Sequence, residues 1–201
     1  VLELDALDRA EVVVLVLVLV VLVEEVDVLV VGGGITGLSA AWEAAGAGVV
    51  IPANYNTPGQ LVISGSAEGV ARAGELARER GGKFIPLKVS GAFHSPLMAP
   101  AKEGLRDRLE AINFSDPLYP VVSNVTAEPV VQGREARGLL VDQLTSPVRW
   151  SASIDRMVAG GVDRFFELGP GSVLCGLNRR NARGVPCTSL SEPPDFDNLG
   201  R

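Results

Sequence analysis

The stretch LVISGSAEGVARAGELARERGGKFIPLKVS, residues 61–90, sets the fold class. Residues 61–65 are mostly apolar and run into a glycine, the pattern of a strand. Over 67–82 the spacing changes. Val70, Ala73, Leu76 and Ala77 recur three and four apart and share one helical face, and Gly81-Gly82 stops the run. KFIPLKVS (83–90) returns to strand composition. Strand, amphipathic helix and strand in that order predict an α/β protein.

The same alternation continues toward the C-terminus. PLMAPAKEGLRDRLEAI (96–112) predicts a helix with proline near its start and Leu105, Leu109 and Ile112 on its apolar side. YPVVSNVT (119–126) predicts a strand, and REARGLLVDQLTSP (134–147) a helix ended by Pro147. SASIDRMVAGG (151–161) predicts another helix, RFFELGPG (164–171) a strand entering a Gly/Pro turn, and SVLCGLNRR (172–180) a last helix. Residues 191–201, rich in Pro, Asp and Asn, read as a loose tail.

Toward the N-terminus the composition changes character near Ala53. VVVLVLVLVVLV (12–23) is too short for the roughly 20 residues that span a bilayer, and Glu11 and Glu24 flank it. It lacks the basic leader and small-residue cleavage site of a secretory signal, so a buried strand is the expectation. The chain has 201 residues, 47% of them hydrophobic, with a net charge of −6. That is enough apolar material for a core, and the wrong sign for nucleic acid or an anionic membrane surface. Two cysteines, Cys175 and Cys187, are too few and too far apart in sequence for a disulfide framework, and with a single histidine a metal site is not expected. A reducing, cytoplasmic setting fits that usage.

Two motifs carry candidate chemistry. In VLVVGGGITGLSAAWEAAGA (28–47), Gly32, Gly34 and Gly37 form a G-x-G-x-x-G between an apolar strand and an Ala-rich helix. Such glycines let a backbone approach a pyrophosphate, and the stretch resembles the opening of flavin-dependent oxidases. The acidic residue expected about 20 positions on, to hold the ribose, is missing: no Asp or Glu lies between Glu43 and Glu68. A βα turn that binds nothing is therefore the expectation, with FAD or NAD binding as the alternative. The second motif is SGAFHSPLM (90–98), which holds the only histidine, His94, a side chain suited to general-base work near neutral pH.

ANYNTPGQLVISG (53–65), VSGAFHSPLM (89–98), PVVSNVTAEPV (120–130), LLVDQLTSPVRW (139–150) and FFELGPGSVLCGL (165–177) occur in one order. Together they resemble the C-terminal half of malonyl-CoA:acyl-carrier-protein transacylases, over about residues 53–190. The resemblance implies that His94 activates a serine for attack on a malonyl thioester, and that the backbone carbonyl of Gln143 orients the imidazole. It implies that Asn54, Asn56 and Asn124 line the acyl path. It also implies that Phe93 favours malonyl over methylmalonyl by leaving no room for an α-methyl group.

The family's serine lies upstream in a G-H-S-L-G turn, with a carboxylate-binding arginine after it. No G-x-S-x-G occurs in this chain. Ser39 in GLSAA (37–41) lacks the second glycine and reads as a helix-start serine, Arg149 is not where the family places its arginine, and Cys175 reads as packing. No nucleophile is identified.

The expected fold class is thus α/β: a partial ferredoxin-like subdomain (51–89) and the C-terminal part of a hydrolase-like parallel sheet (90–190). A Rossmann-like βα fragment (28–50) and an unassigned Val/Leu-rich segment (1–27) precede them. The expected function is malonyl transfer from coenzyme A to acyl carrier protein in fatty acid biosynthesis, without a cofactor or metal, by a chain inactive alone. The rivals are a nucleotide-binding fragment and a non-catalytic module docking acyl carrier protein, with Arg179, Arg180 and Arg183 as its basic patch.

Overall fold

The computed structural model describes residues 13–15, 28–32, 34–87, 89 and 91–197. Along the chain run β1 (Val13–Leu15), β2 (Val28–Gly32), α1 (Gly34–Ala44), β3 (Val50–Thr57), β4 (Gln60–Gly65), α2 (Ala67–Glu79) and β5 (Lys83–Leu87). There follow α3 (Ala99–Glu110), β6 (Val121–Val122), β7 (Pro129–Val130), α4 (Gly133–Gln143), α5 (Trp150–Ala159), β8 (Phe165–Leu168), α6 (Val173–Asn181), β9 (Cys187–Leu190) and α7 (Pro193–Phe196). They fall into two units, Val20–Ser153 and a second made of Val1–Leu19 with Ile154–Arg201.

In the first unit, α2 starts where Ser66 caps it, the serine hydroxyl accepting from the Gly69 N–H at 3.3 Å. It stops where Gly81 takes φ +74°, a left-handed turn that lets the Gly82 N–H reach back to the Ala77 carbonyl. The predicted apolar face is the buried one: Val70, Ala73, Leu76 and Ala77 join Ala40, Ala41 and Ala44 of α1 and Val50, Leu61 and Ile63 of the sheet. Each large aliphatic among them contributes roughly 1.5–3 kcal/mol by leaving water. Gly74 lets α2 lie close against β5, since a Cβ there would meet the Phe84 ring at 1.9 Å.

Both helices cover one face of a four-stranded sheet of order β3-β4-β2-β5, antiparallel at every pairing. This corrects the expected Rossmann-like fragment. A dinucleotide-binding strand has parallel neighbours, whereas β2 runs antiparallel to both β4 and β5. The boundary drawn at residue 50 disappears with it, because β2 and α1 share one sheet and one core with residues 51–89. Burial of the alanine face of α1 against α2 and the antiparallel sheet is the physical reason.

Two further expectations change. The strand predicted over 119–126 pairs only at Val121–Val122, against Pro129–Val130. Beyond Val122 the chain turns, the Ser123 N–H meeting the Glu128 carbonyl at 3.0 Å and Ala127 taking φ 61°. Within the expected tail, Pro193–Phe196 forms α7, which starts in a capping box between Glu192 and Asp195, while residues 198–201 lie outside the described part.

The second unit holds a parallel sheet of order β1-β8-β9. Val13–Leu15 is thus a strand, as the Val/Leu run suggested, while residues 16–27 lie outside the described part. Helix α6 connects β8 to β9, and its first turn is closed by Glu167, whose carboxylate oxygens accept from the Leu174 and Cys175 N–H groups at 3.0 and 2.8 Å. The cysteines, judged too distant in sequence, are disulfide-bonded, with Cα atoms 5.3 Å apart. Sequence distance misled because β9 returns beside the helix that carries Cys175. Among the described residues no helix is long and apolar enough to cross a membrane.

Candidate functional site

His94 follows β5 on a backbone bend with φ 60°, a left-handed conformation uncommon for a residue with a side chain. Three hydrogen bonds hold the bend. The His94 N–H donates to the Leu144 carbonyl at 3.1 Å, and its Nδ1 meets the Gln143 carbonyl at 2.8 Å. The hydroxyl of the next residue, Ser95, donates to the Ala92 carbonyl at 2.7 Å and caps the short turn Pro96–Met98 by accepting from the Leu97 N–H at 3.2 Å. Ser95 is fully buried and was not singled out in the sequence. A serine just before a helix-starting proline is the capping signal that could have found it.

The imidazole tautomer follows from its partner. A carbonyl oxygen only accepts, so the ring nitrogen facing Gln143 carries the hydrogen, and in the neutral ring Nε2 keeps a basic lone pair. Burial lowers the His94 pKa below its ordinary 6.5, outweighing the backbone carbonyls of Gln143 and Ser146, which favour the charged form. The ring is therefore neutral at physiological pH, the state a general base requires.

Gln143 is the C-terminal residue of α4 and serves two neighbours. Its backbone holds His94, while its side-chain oxygen accepts from the Asn124 amide at 3.4 Å. Asn124 is fixed in turn by its carbonyl, which accepts from the Arg149 N–H at 2.9 Å. Lys102 of α3 pins the end of α4 through Asp142 at 2.8 Å. The structure thus brings together His94, Gln143 and Asn124, which are far apart in sequence.

Asn54 joins the same neighbourhood through the backbone. It lies on edge strand β3 and pairs in parallel with Val148, with Tyr55 N–H to Val148 O and Val148 N–H to Ala53 O both at 2.8 Å. The register of β3 shifts between Pro52 and Asn54 and again between Tyr55 and Thr57, leaving Asn56 half-buried at an irregularity. Phe93 is half-buried, with its ring against Gly91, where a Cβ would come within 3.4 Å of it.

The glycine motif lies elsewhere. Gly32 pairs with Lys83, where β5 begins, whereas His94 follows the end of β5 at Leu87. Gly34 and Gly37 belong to α1. Ser39, in the same helix, accepts from the Arg80 guanidinium at 2.8 Å, and Arg80 also pairs with Glu43. The serine thus helps tie α1 to the end of α2. Among the described residues no group of three His, Cys, Asp or Glu side chains forms a metal site.

Residues 6–190 match the acyl transferase domain family model. That match starts well ahead of Ala53 and takes in the glycine stretch. The chain is 48% identical over 146 residues to the malonyl CoA-acyl carrier protein transacylase of Bacillus subtilis, covering 72% of this chain and 46% of that one. Its structure is similar to malonyl-CoA:acyl carrier protein transacylase from Xanthomonas oryzae pv. oryzae, with a TM-score of 0.80, 38% identity, and coverage of 86% of this chain and 56% of that one. It is also similar to a malonyl-transacylase solved in complex with a type II PKS acyl-carrier protein, with a TM-score of 0.80, 35% identity, and coverage of 87% and 58%. The chain spans about half the length of the curated relatives it matches.

Proposed function

Because the chain belongs to the acyl transferase domain family, we propose that it supplies the acid–base half of a malonyl-CoA:acyl carrier protein transacylase site in fatty acid biosynthesis. The observation that carries this is the His94–Gln143 bond of 2.8 Å, made by a neutral, half-buried imidazole in a family member. His94 is the base and Gln143 the residue that orients it. Asn54, Asn56 and Asn124 line the acyl path, and Phe93 excludes an α-methyl substituent. Residues 28–89 form a ferredoxin-like subdomain, and residues 90–190 the C-terminal part of an acyltransferase domain with a hydrolase-like sheet.

The chemistry is two thioester–ester exchanges. A hydroxyl oxygen attacks the malonyl thioester carbon while its proton passes to Nε2 of His94. The C–S bond breaks, coenzyme A leaves as a thiol carrying that proton, and an acyl ester remains. The thiol of acyl carrier protein reverses the sequence and takes the malonyl group. Neither electrons nor a metal enter the balance. The hydroxyl this reading calls for is that of the serine which the family carries in a G-H-S-L-G turn, a pattern that does not occur in this sequence. A cytoplasmic setting suits these substrates.

The test is the intact mass of the chain, and of added acyl carrier protein, after incubation with malonyl-CoA. Both masses are expected to stay unchanged with this chain alone. A malonyl ester mapped to any residue of the chain, or malonylated carrier, would replace the half-site with a complete one.

A further inference from the structure

We infer that the groove between α3 and α4 is a binding site for a small phosphate-bearing anion, held by Arg106, Arg134 and Arg137. The inference is independent of the acyl-transfer reading.

The groove has a volume of about 310 Å³, and its lining includes the three arginines with Glu110, Gly138 and Val141. It is open because the two helices meet without a packed apolar seam. Helix α3 buries none of its residues. On α4, Arg134, Arg137, Gly138 and Val141 recur three and four apart and so form one helical stripe. A stripe turned toward a neighbouring helix is ordinarily apolar and buried; of these four, Val141 alone is buried. Gly138 adds room. A Cβ there would meet nothing within 4 Å, so a longer side chain can enter the groove without displacing a neighbour.

Charge selects the occupant. Asp142, also in the lining, is paired with Lys102 at 2.8 Å. That leaves three guanidiniums and one carboxylate, Glu110, a local positive surplus in a chain whose net charge is −6. Among the described residues none of the three arginines makes a hydrogen bond or an ion pair, so their donors are open to a ligand. Arg134 and Arg137, three apart on one helix, repel each other until an anion lies between them. The guanidinium fork fits oxyanions, and a tetrahedral phosphate has enough oxygens to engage more than one fork, whereas a carboxylate fills one. A recess of this size takes a small molecule. The negative net charge opposes a long polyanion such as nucleic acid.

The test is isothermal titration of the full chain with inorganic pyrophosphate, and with citrate as a carboxylate of comparable charge, at matched ionic strength. Pyrophosphate is expected to bind one to one and more tightly than citrate. Arg134→Gln with Arg137→Gln should weaken it about tenfold or more, the worth of a lost bond to a charged group. Glu110→Gln should tighten it, a direction that a damaged fold would not give. Gly138→Met keeps every arginine and favours the helix, yet should block binding by filling the groove. Arg179→Gln with Arg180→Gln, in another basic stretch, should leave the affinity unchanged. Circular dichroism of each variant checks the fold. Pyrophosphate that does not bind, citrate that binds as well or better, or pyrophosphate binding indifferent to Gly138→Met overturns the site. So does an acyl carrier protein held through these arginines when pyrophosphate is not, since the groove then meets a protein surface.

Discussion

At the scale of single residues, His94 shows how a fold chooses a protonation state. Burial disfavours the imidazolium more than two carbonyls favour it, so the folded pKa lies below the unfolded value of 6.5. The unfolded chain then binds more protons as pH falls, and stability drops with it. This contribution is fully present above pH 6.5 and is lost as pH falls through the folded pKa. Denaturant midpoints at pH 7.5 and pH 5 should show a loss at the lower value, smaller in His94→Gln than in the parent. Equal losses in both would remove His94 as a source. In the proposed reading Phe93 acts by volume. In the assembled enzyme, Phe93→Ser should reduce the malonyl over methylmalonyl preference in kcat/KM by about 10–200-fold, the worth of one methyl group in a fitted pocket. An unchanged ratio would place the selectivity elsewhere.

Elements show how much the ends of helices matter here. Glu167 is a buried carboxylate at the start of α6, and its two oxygens satisfy N–H groups that the helix cannot satisfy itself. Glu167→Ala should cost about 1–3 kcal/mol in chemical denaturation, through orphaned donors and a lost charge at the positive end of the helix. Glu167→Gln should recover part of that, because one amide oxygen can still accept. The role of α4 is different. Its last residue presents a carbonyl to His94, which any amino acid could supply, so the importance of Gln143 is invisible in composition. Its side chain shows up only through Asn124.

Across the whole molecule, the Cys175–Cys187 bridge is the disulfide that crosslinks α6 to β9. It joins positions 12 apart, and a loop near that length is worth about 3 kcal/mol. Reduction should lower the thermal midpoint by roughly 6–12 °C, with two thiols becoming available to an alkylating mass label. A midpoint indifferent to reductant would mean that packing alone holds β9. Because such bonds are rare in reducing compartments, the reduced form bears directly on the proposed setting.

The sequence by itself determined the α/β class, the helical face of α2 and the order of motifs that names His94, because periodicity and long local patterns record local geometry. It also located most strands and helices from Gln60 onward. Only the tertiary structure decided which strands are neighbours. A G-x-G-x-x-G reads the same before a parallel or an antiparallel partner, and β2 proved antiparallel on both sides. The same holds for cysteines brought together by a returning strand, for a serine engaged by Arg80, and for a backbone carbonyl 49 positions from the histidine it bonds. Each depends on contacts between segments distant in the chain, and no local pattern encodes those distances.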